Sequence, residues 1–178
     1  MPVFTVIDHT ELTGTTTAWS ESSISASYDH LLLMASLRGT QAALWNNQWI
    51  RVGNGGLDTG ANYSSTYLTN VNSSGPVSGR ATGQTKWAYQ YIGSASTTAS
   101  TFGMLKIWIP NYANTANYKQ AIVKTVTLSN SNASGSTSQS YVACMWNQTS
   151  AITDIEVSEP NAGMAQYSEF TLYGVNGV

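Results

Sequence analysis

Phe102-Gly103-Met104-Leu105-Lys106-Ile107-Trp108-Ile109 is the stretch whose reading decides the fold. In an extended chain Gly103, Leu105, Ile107 and Ile109 fall on one side, and Met104, Lys106 and Trp108 on the other. That alternation suits an antiparallel sheet with one wet face. Working outward, Ile152–Val157 repeats it. Thr153, Ile155 and Val157 share one face, and Asp154 and Glu156 share the other. Leu31-Leu32-Leu33-Met34 breaks the pattern, which predicts a strand covered on both faces.

The same signals place strands at Val3–His9, Thr17–Ile24, Leu31–Arg38, Ala42–Trp45, Trp49–Val52, Tyr63–Thr69, Lys86–Ile92, Phe102–Ile109, Tyr118–Leu128, Gln139–Trp146, Ile152–Val157 and Glu169–Val175. No stretch shows a helical period with caps. Asn46-Asn47 is read as a tight hairpin turn between two Trp-bearing strands, because Asn tolerates the left-handed conformation such turns need. Gly53-Asn54-Gly55-Gly56 ends the second of them. Ser73-Ser74-Gly75-Pro76, Gly93–Ser100 and Asn130–Ser138 are loops by composition. None is long enough to divide the chain. The expectation is a single all-β domain over 1–178: an antiparallel two-sheet sandwich, jelly-roll-like.

Composition narrows the function. Average domains are about one quarter charged; this chain is 9% charged and carries a net charge of -2. Six Trp and ten Tyr stand beside only seven basic and nine acidic residues. Polarity comes from hydroxyls and amides, which cost less to dehydrate than ions. No basic stripe exists to neutralise phosphates, so nucleic acid is not an expected partner. No apolar run is long enough to span a membrane as a helix. Met1-Pro2-Val3-Phe4-Thr5 lacks the basic start of a signal peptide. The four Asn-x-Ser/Thr triplets, at Asn62, Asn72, Asn132 and Asn147, are chance in so Asn-rich a chain. Cys144 has no second cysteine to pair with and lies in an apolar run, where it reads as a buried inert thiol.

Enzymatic chemistry finds little support. His9 and His30 lie in no nucleophile-base arrangement, and each reads as a polar residue at a turn or strand entry. The glycines at 53, 55 and 56 do not make a dinucleotide loop. No metal-ligand spacing and no cofactor signature occur. Asp154, Glu156 and Glu159 cluster near one strand, and a glycosidase needs two carboxylates across a cleft; a solvated strand face explains them better. Aromatic recognition is the better option. Trp45, Trp49 and Tyr63 are the candidate ligand residues, since aromatic faces beside amides and hydroxyls can stack on sugars. Packing in a core or subunit contact competes for the same residues.

Four segments taken together resemble small tailed-phage virion proteins. They are Ser23-Ile24-Ser25-Ala26-Ser27-Tyr28-Asp29-His30-Leu31-Leu32-Leu33; Ile107-Trp108-Ile109-Pro110-Asn111-Tyr112 closed by Asn117-Tyr118-Lys119; Trp146-Asn147-Gln148-Thr149-Ser150-Ala151-Ile152-Thr153; and Phe170-Thr171-Leu172-Tyr173-Gly174-Val175. The resemblance implies a jelly-roll or sandwich module, without enzymatic activity or catalytic residues, that acts as capsid decoration or cement or as a fibre tip. It implies a homo-trimer on the particle exterior, made in the host cytoplasm, with the major capsid protein or another virion protein as partner. The β-domain is expected to begin almost at Val3 with no N-terminal shaft before it, and on that expectation decoration is preferred to a fibre. The alternative is a receptor-binding module for a host-surface glycan. The chain departs from the pattern at Ala42–Val52, where a more polar strand is expected. The first and last segments are expected to pair or face each other in the core.

Overall fold

A computed structural model of the chain describes residues 3–71, 75–129 and 137–177. These form twelve strands and no α-helix: β1 Val3–Glu11, β2 Ala18–Glu21, β3 His30–Leu37, β4 Trp45–Gly53, β5 Tyr63–Val71, β6 Pro76–Gln84, β7 Trp87–Gly93, β8 Gly103–Pro110, β9 Lys119–Thr127, β10 Ser138–Trp146, β11 Asp154–Ser158 and β12 Glu169–Asn176. Residues 130–136 of the expected Asn130–Ser138 loop, residues 73 and 74 of the expected turn, and Asn72 and Asn132 lie outside the described residues.

All strand pairs are antiparallel, and their nesting is that of a jelly roll. β1 pairs with β12, β2 with β11, β3 with β8, and β4 with β7. β12 then joins β3, and β11 joins β4. The result is one sheet containing β1-β12-β3-β8 and a second sheet of β2-β11-β4-β7. This rolled double sheet is the eight-strand jelly-roll topology. Two further hairpins are added to it. β9–β10 follows β8 and β5–β6 follows β4, and together they widen the first sheet to eight strands in the order β1-β12-β3-β8-β9-β10-β5-β6.

The alternating residues do what their period requires. Leu105, Ile107 and Ile109 of β8, Ile155 and Val157 of β11, and Ile50 and Val52 of β4 are buried between the sheets. Trp19 stacks on Phe170 at 5.0 Å. Leu31, Leu32 and Leu33 are all buried, but Met34 is exposed, so cover on both faces of β3 ends at Leu33. The widened sheet extends past the smaller one, so its inserted strands need another way to bind the edge strand β7. Hydroxyls supply it. Gly93 N donates to Thr127 Oγ1 at 2.9 Å, Tyr91 N to Ser140 Oγ at 3.4 Å, and Ser138 Oγ to Tyr91 O at 3.3 Å. Buried Ser and Thr thus satisfy backbone groups that no strand reaches.

Three expectations are corrected. Asn46-Asn47 is no hairpin turn: β4 runs unbroken through it, and the expected Ala42–Trp45 strand begins only at Trp45. Asn46 points inward, while Asn47 Oδ1 accepts from Tyr89 N at 3.0 Å and Gln90 N at 3.2 Å. Those donors sit where the β4–β7 register slips between Gln48 and Ile50, and Tyr89 has φ 77 there. The amide repairs a bulge in the neighbouring strand. Second, β6 was not expected at all. Pro76–Gln84 has no apolar alternation because this edge strand buries no continuous face. Third, the expected Thr17–Ile24 strand is shorter, Ala18–Glu21.

β3 and β12 do pair, with Leu33 opposite Leu172 and Leu31 opposite Gly174. The glycine is required: a Cβ on Gly174 would lie 2.3 Å from the Tyr28 ring. Pro110 ends β8, and Asn111, at φ 49, turns the chain after it.

Candidate functional site

The two outer sheet faces are the surfaces on which aromatic and apolar side chains collect. On the smaller sheet, β4 places Trp45, Asn47, Trp49 and Arg51 outward and Asn46, Gln48, Ile50 and Val52 inward. The Trp45 ring meets Tyr91 edge-on at 5.0 Å. Lys86 Nζ lies 3.9 Å from the Trp49 ring centroid, and Arg51 Cζ 5.8 Å from it. Burial, and secondarily the Arg51 charge, hold the Lys86 ammonium below the ordinary lysine range. Arg51 also pairs with Glu156 at 3.3 Å. Trp45 and Trp49 therefore share a half-buried face, as alternate positions of one strand rather than as the arms of a hairpin.

Tyr63 does not join them. It points inward from β5, is 1% exposed, and meets Trp87 edge-on at 5.8 Å. Its hydroxyl donates to Val52 O or Asp58 O, each at 2.8 Å, and accepts from Val52 N at 3.2 Å. Burial pushes this phenol well above the ordinary tyrosine range. Tyr63 is a core residue, and the ligand role expected for it is withdrawn. The sequence could not show this, because the same Tyr on the opposite strand face would have been exposed.

The acidic residues hold local structure. Asp154 accepts from Gly56 N at 3.0 Å and Thr153 Oγ1 at 2.7 Å. Glu156 is held by Arg51 and by Ser158 Oγ at 3.2 Å. Glu159 is fully buried and accepts from the backbone NH groups of Asn161, Ala162 and Gly163. Asp154 and Glu156 share the outer face of β11, but Glu159 does not stand with them. His9 contacts Thr171 and Glu169, and His30 Nδ1 accepts from Asn111 N. Among the described residues no group of three or more His, Cys, Asp or Glu is arranged to hold a metal.

Cys144 is buried at 2% exposure, and burial pushes its thiol up to about 12. It is expected to stay unreactive toward an aromatic disulfide reagent at neutral pH until the chain is denatured. The folded state holds this proton more tightly than the unfolded state. Its contribution to stability is therefore complete below 9.0 and is lost as pH rises from there to about 12. A chemical-denaturation series over that range checks the sign, with Cys144→Ala expected to flatten the decline.

The outer face of the eight-stranded sheet is the feature sequence reasoning undervalued. Register lays Tyr173, Leu32, Trp108, Ile122 and Ala143 in one row across β12, β3, β8, β9 and β10. The next row is Thr171, Met34, Lys106, Lys124, Tyr141 and Leu68. Leu68 is 53% exposed, Tyr141 46%, Val126 44% and Met34 42%. Three shallow depressions open on this one face. They hold about 330 Å³ beside Leu68, Val126 and Tyr141, about 370 Å³ beside Met34, Met104 and Tyr173, and about 220 Å³ between Trp108, Ile122 and Tyr141. The available signal was the wet side of Phe102–Ile109, where Met104 and Trp108 accompany Lys106. No protein-family model, curated protein or solved structure matches this chain.

Proposed function

We propose that this chain is a non-enzymatic structural protein of a bacteriophage virion. In this reading it decorates or cements the outer capsid as a homo-oligomer, with a trimer as the expected state. The observation that carries the reading is the outer face of the eight-stranded sheet, where exposed Met34, Met104, Leu68, Ile122, Val126 and Tyr141 gather around Lys106 and Lys124. Contiguous exposed patches of this kind mark contact sites. The jelly-roll topology and the four resembling segments agree with it. Cementing works by mass action: a subunit that binds only the assembled shell stabilises that shell. A mostly apolar contact is little screened by salt, so the protein is expected to stay attached to particles through high-salt purification.

The test is binding to purified heads that lack this protein, with occupancy read by electron microscopy. Density at fixed positions of the capsid lattice is the expected result. Density confined to the tail or a fibre end would favour the second reading, a receptor-binding module for a host-surface glycan. Trp45 and Trp49 on one half-buried face, with the Asn47 amide between them, support that alternative. Silence of the folded oligomer on a glycan array would remove it.

A further inference from the structure

The ammonium groups on the apolar outer face stand side by side. Lys106 of β8 and Lys124 of β9 are direct ladder partners, and like charges directly opposite each other work against strand pairing. Neither has an ion-pair partner among the described residues, where Arg51 pairs with Glu156 and His9 Nε2 lies 3.4 Å from Glu169. Lys124 Nζ rests 5.1 Å from the Tyr141 ring centroid. Trp108, Ile122 and Tyr141 wall the depression of about 220 Å³ that both lysines line. An unneutralised cationic pair thus sits within apolar surface.

We propose that this face docks a segment of a partner protein that presents carboxylates between apolar side chains. A carboxylate sits over the Lys106–Lys124 pair, and its apolar neighbours enter the flanking depressions beside Val126 and Met34. The inference rests on the reading of this face as an attachment surface and adds the chemistry of what it attaches to. Charge complementarity selects this occupant over a second copy. A two-fold pairing of the face with itself about the lysines would set one cationic pair against another. A partner carboxylate relieves the repulsion across the ladder. Once water is excluded, that contact is screened little by salt, so charge reversal weakens docking more than added salt does.

The experiment is a nuclear magnetic resonance titration of the labelled protein with a blocked pentapeptide alternating leucine or phenylalanine with glutamate. The same peptide carrying glutamine in place of glutamate is the control. The glutamate peptide is expected to shift signals of β8, β9 and β10 around Lys106, Lys124 and Tyr141. The glutamine peptide is expected to bind at least about tenfold more weakly, as when one partner of a desolvated charge pair is removed. The double variant Lys106→Glu with Lys124→Glu changes only wet-face side chains, and circular dichroism checks that it folds; it is expected to lose the glutamate peptide. Equal binding of both peptides, no response, or shifts on the other sheet would overturn the inference. So would self-association of the wild type that the double variant abolishes, which would make the occupant a second copy. Particle binding is scored separately. A double variant that still occupies the capsid sinks this inference and leaves the attachment reading standing. A charge-selective peptide response without capsid occupancy does the reverse.

Discussion

Replacing Lys119 by methionine is expected to destabilise the protein by about 3–4 kcal/mol, lowering the thermal midpoint by about 10 °C. Lys119 opens β9 and is 1% exposed. Its ammonium donates to Asn114 O at 2.6 Å, Asn117 O at 2.8 Å and Thr149 O at 2.8 Å. Burial works against this charge and holds it below the ordinary lysine range. The carbonyls work for it, and one group thereby fastens the β8–β9 connection to the loop after β10. Methionine keeps the apolar stem and leaves those carbonyls facing a side chain that donates nothing. Circular dichroism melts of the two proteins read the effect. A shift of less than about 2 °C would mean that water reaches the carbonyls and that Lys119 is not a tie between the loops.

Trp87→Ala is expected to cost about 3–5 kcal/mol, the range for deleting a large buried aromatic. Trp87 is fully buried on β7, lies opposite Ile50, and meets Tyr63 edge-on at 5.8 Å. Its indole NH donates to Met145 O at 2.9 Å, so one side chain spans from the smaller sheet to β10 of the larger. Alanine removes the packing and the cross-sheet bond together. Trp87→Phe retains most of the volume and is expected to lose about 1 kcal/mol through the missing bond. Urea titrations with unchanged slopes would separate these costs. A loss below about 1 kcal/mol for the alanine variant would show that the inserted hairpins collapse into the space.

These two residues mark different limits of sequence reading. Trp87 is legible as part of the expected Lys86–Ile92 strand, but a core tryptophan and one at a subunit contact read alike, and only the fold shows it fully buried. The burial of Lys119 is not legible at all. A lysine between Tyr118 and Gln120 reads as surface, and only carbonyls delivered by two connections of the folded chain make its burial tolerable. Tyr63 fails in the opposite direction: it reads as a surface aromatic beside polar residues, yet its hydroxyl is satisfied by Val52 and Asp58, so the whole ring can be buried.

The strands themselves were legible where burial imposes a period of two. Phe102–Ile109 and Ile152–Val157 are local patterns, and a one-residue slip would turn every apolar side chain outward. The all-β class and the sandwich follow from many such patterns. Where no face is buried, as in Pro76–Gln84, the period vanishes and so does the signal. Where tertiary need outweighs local preference, the signal misleads. Asn46-Asn47 favours a turn in isolation, but β4 continues through it because the Asn47 amide is required at the bulge of β7. Likewise, sequence identified Trp45 and Trp49 as candidate ligand residues but not the strand face they share.

By itself the amino-acid sequence determined which residues alternate, hence the strand-built class, the two-layer core and the low-charge, aromatic surface. Tertiary structure alone decided the nesting of β1 with β12 and β4 with β7, the widening of one sheet, and the meeting of Lys106 with Lys124 on an apolar face. The reason is distance along the chain. Periodicity is written within a few neighbouring residues, whereas ladder partners come from remote segments, and their choice is made by which pairing buries the most apolar surface while leaving no backbone group unpaired.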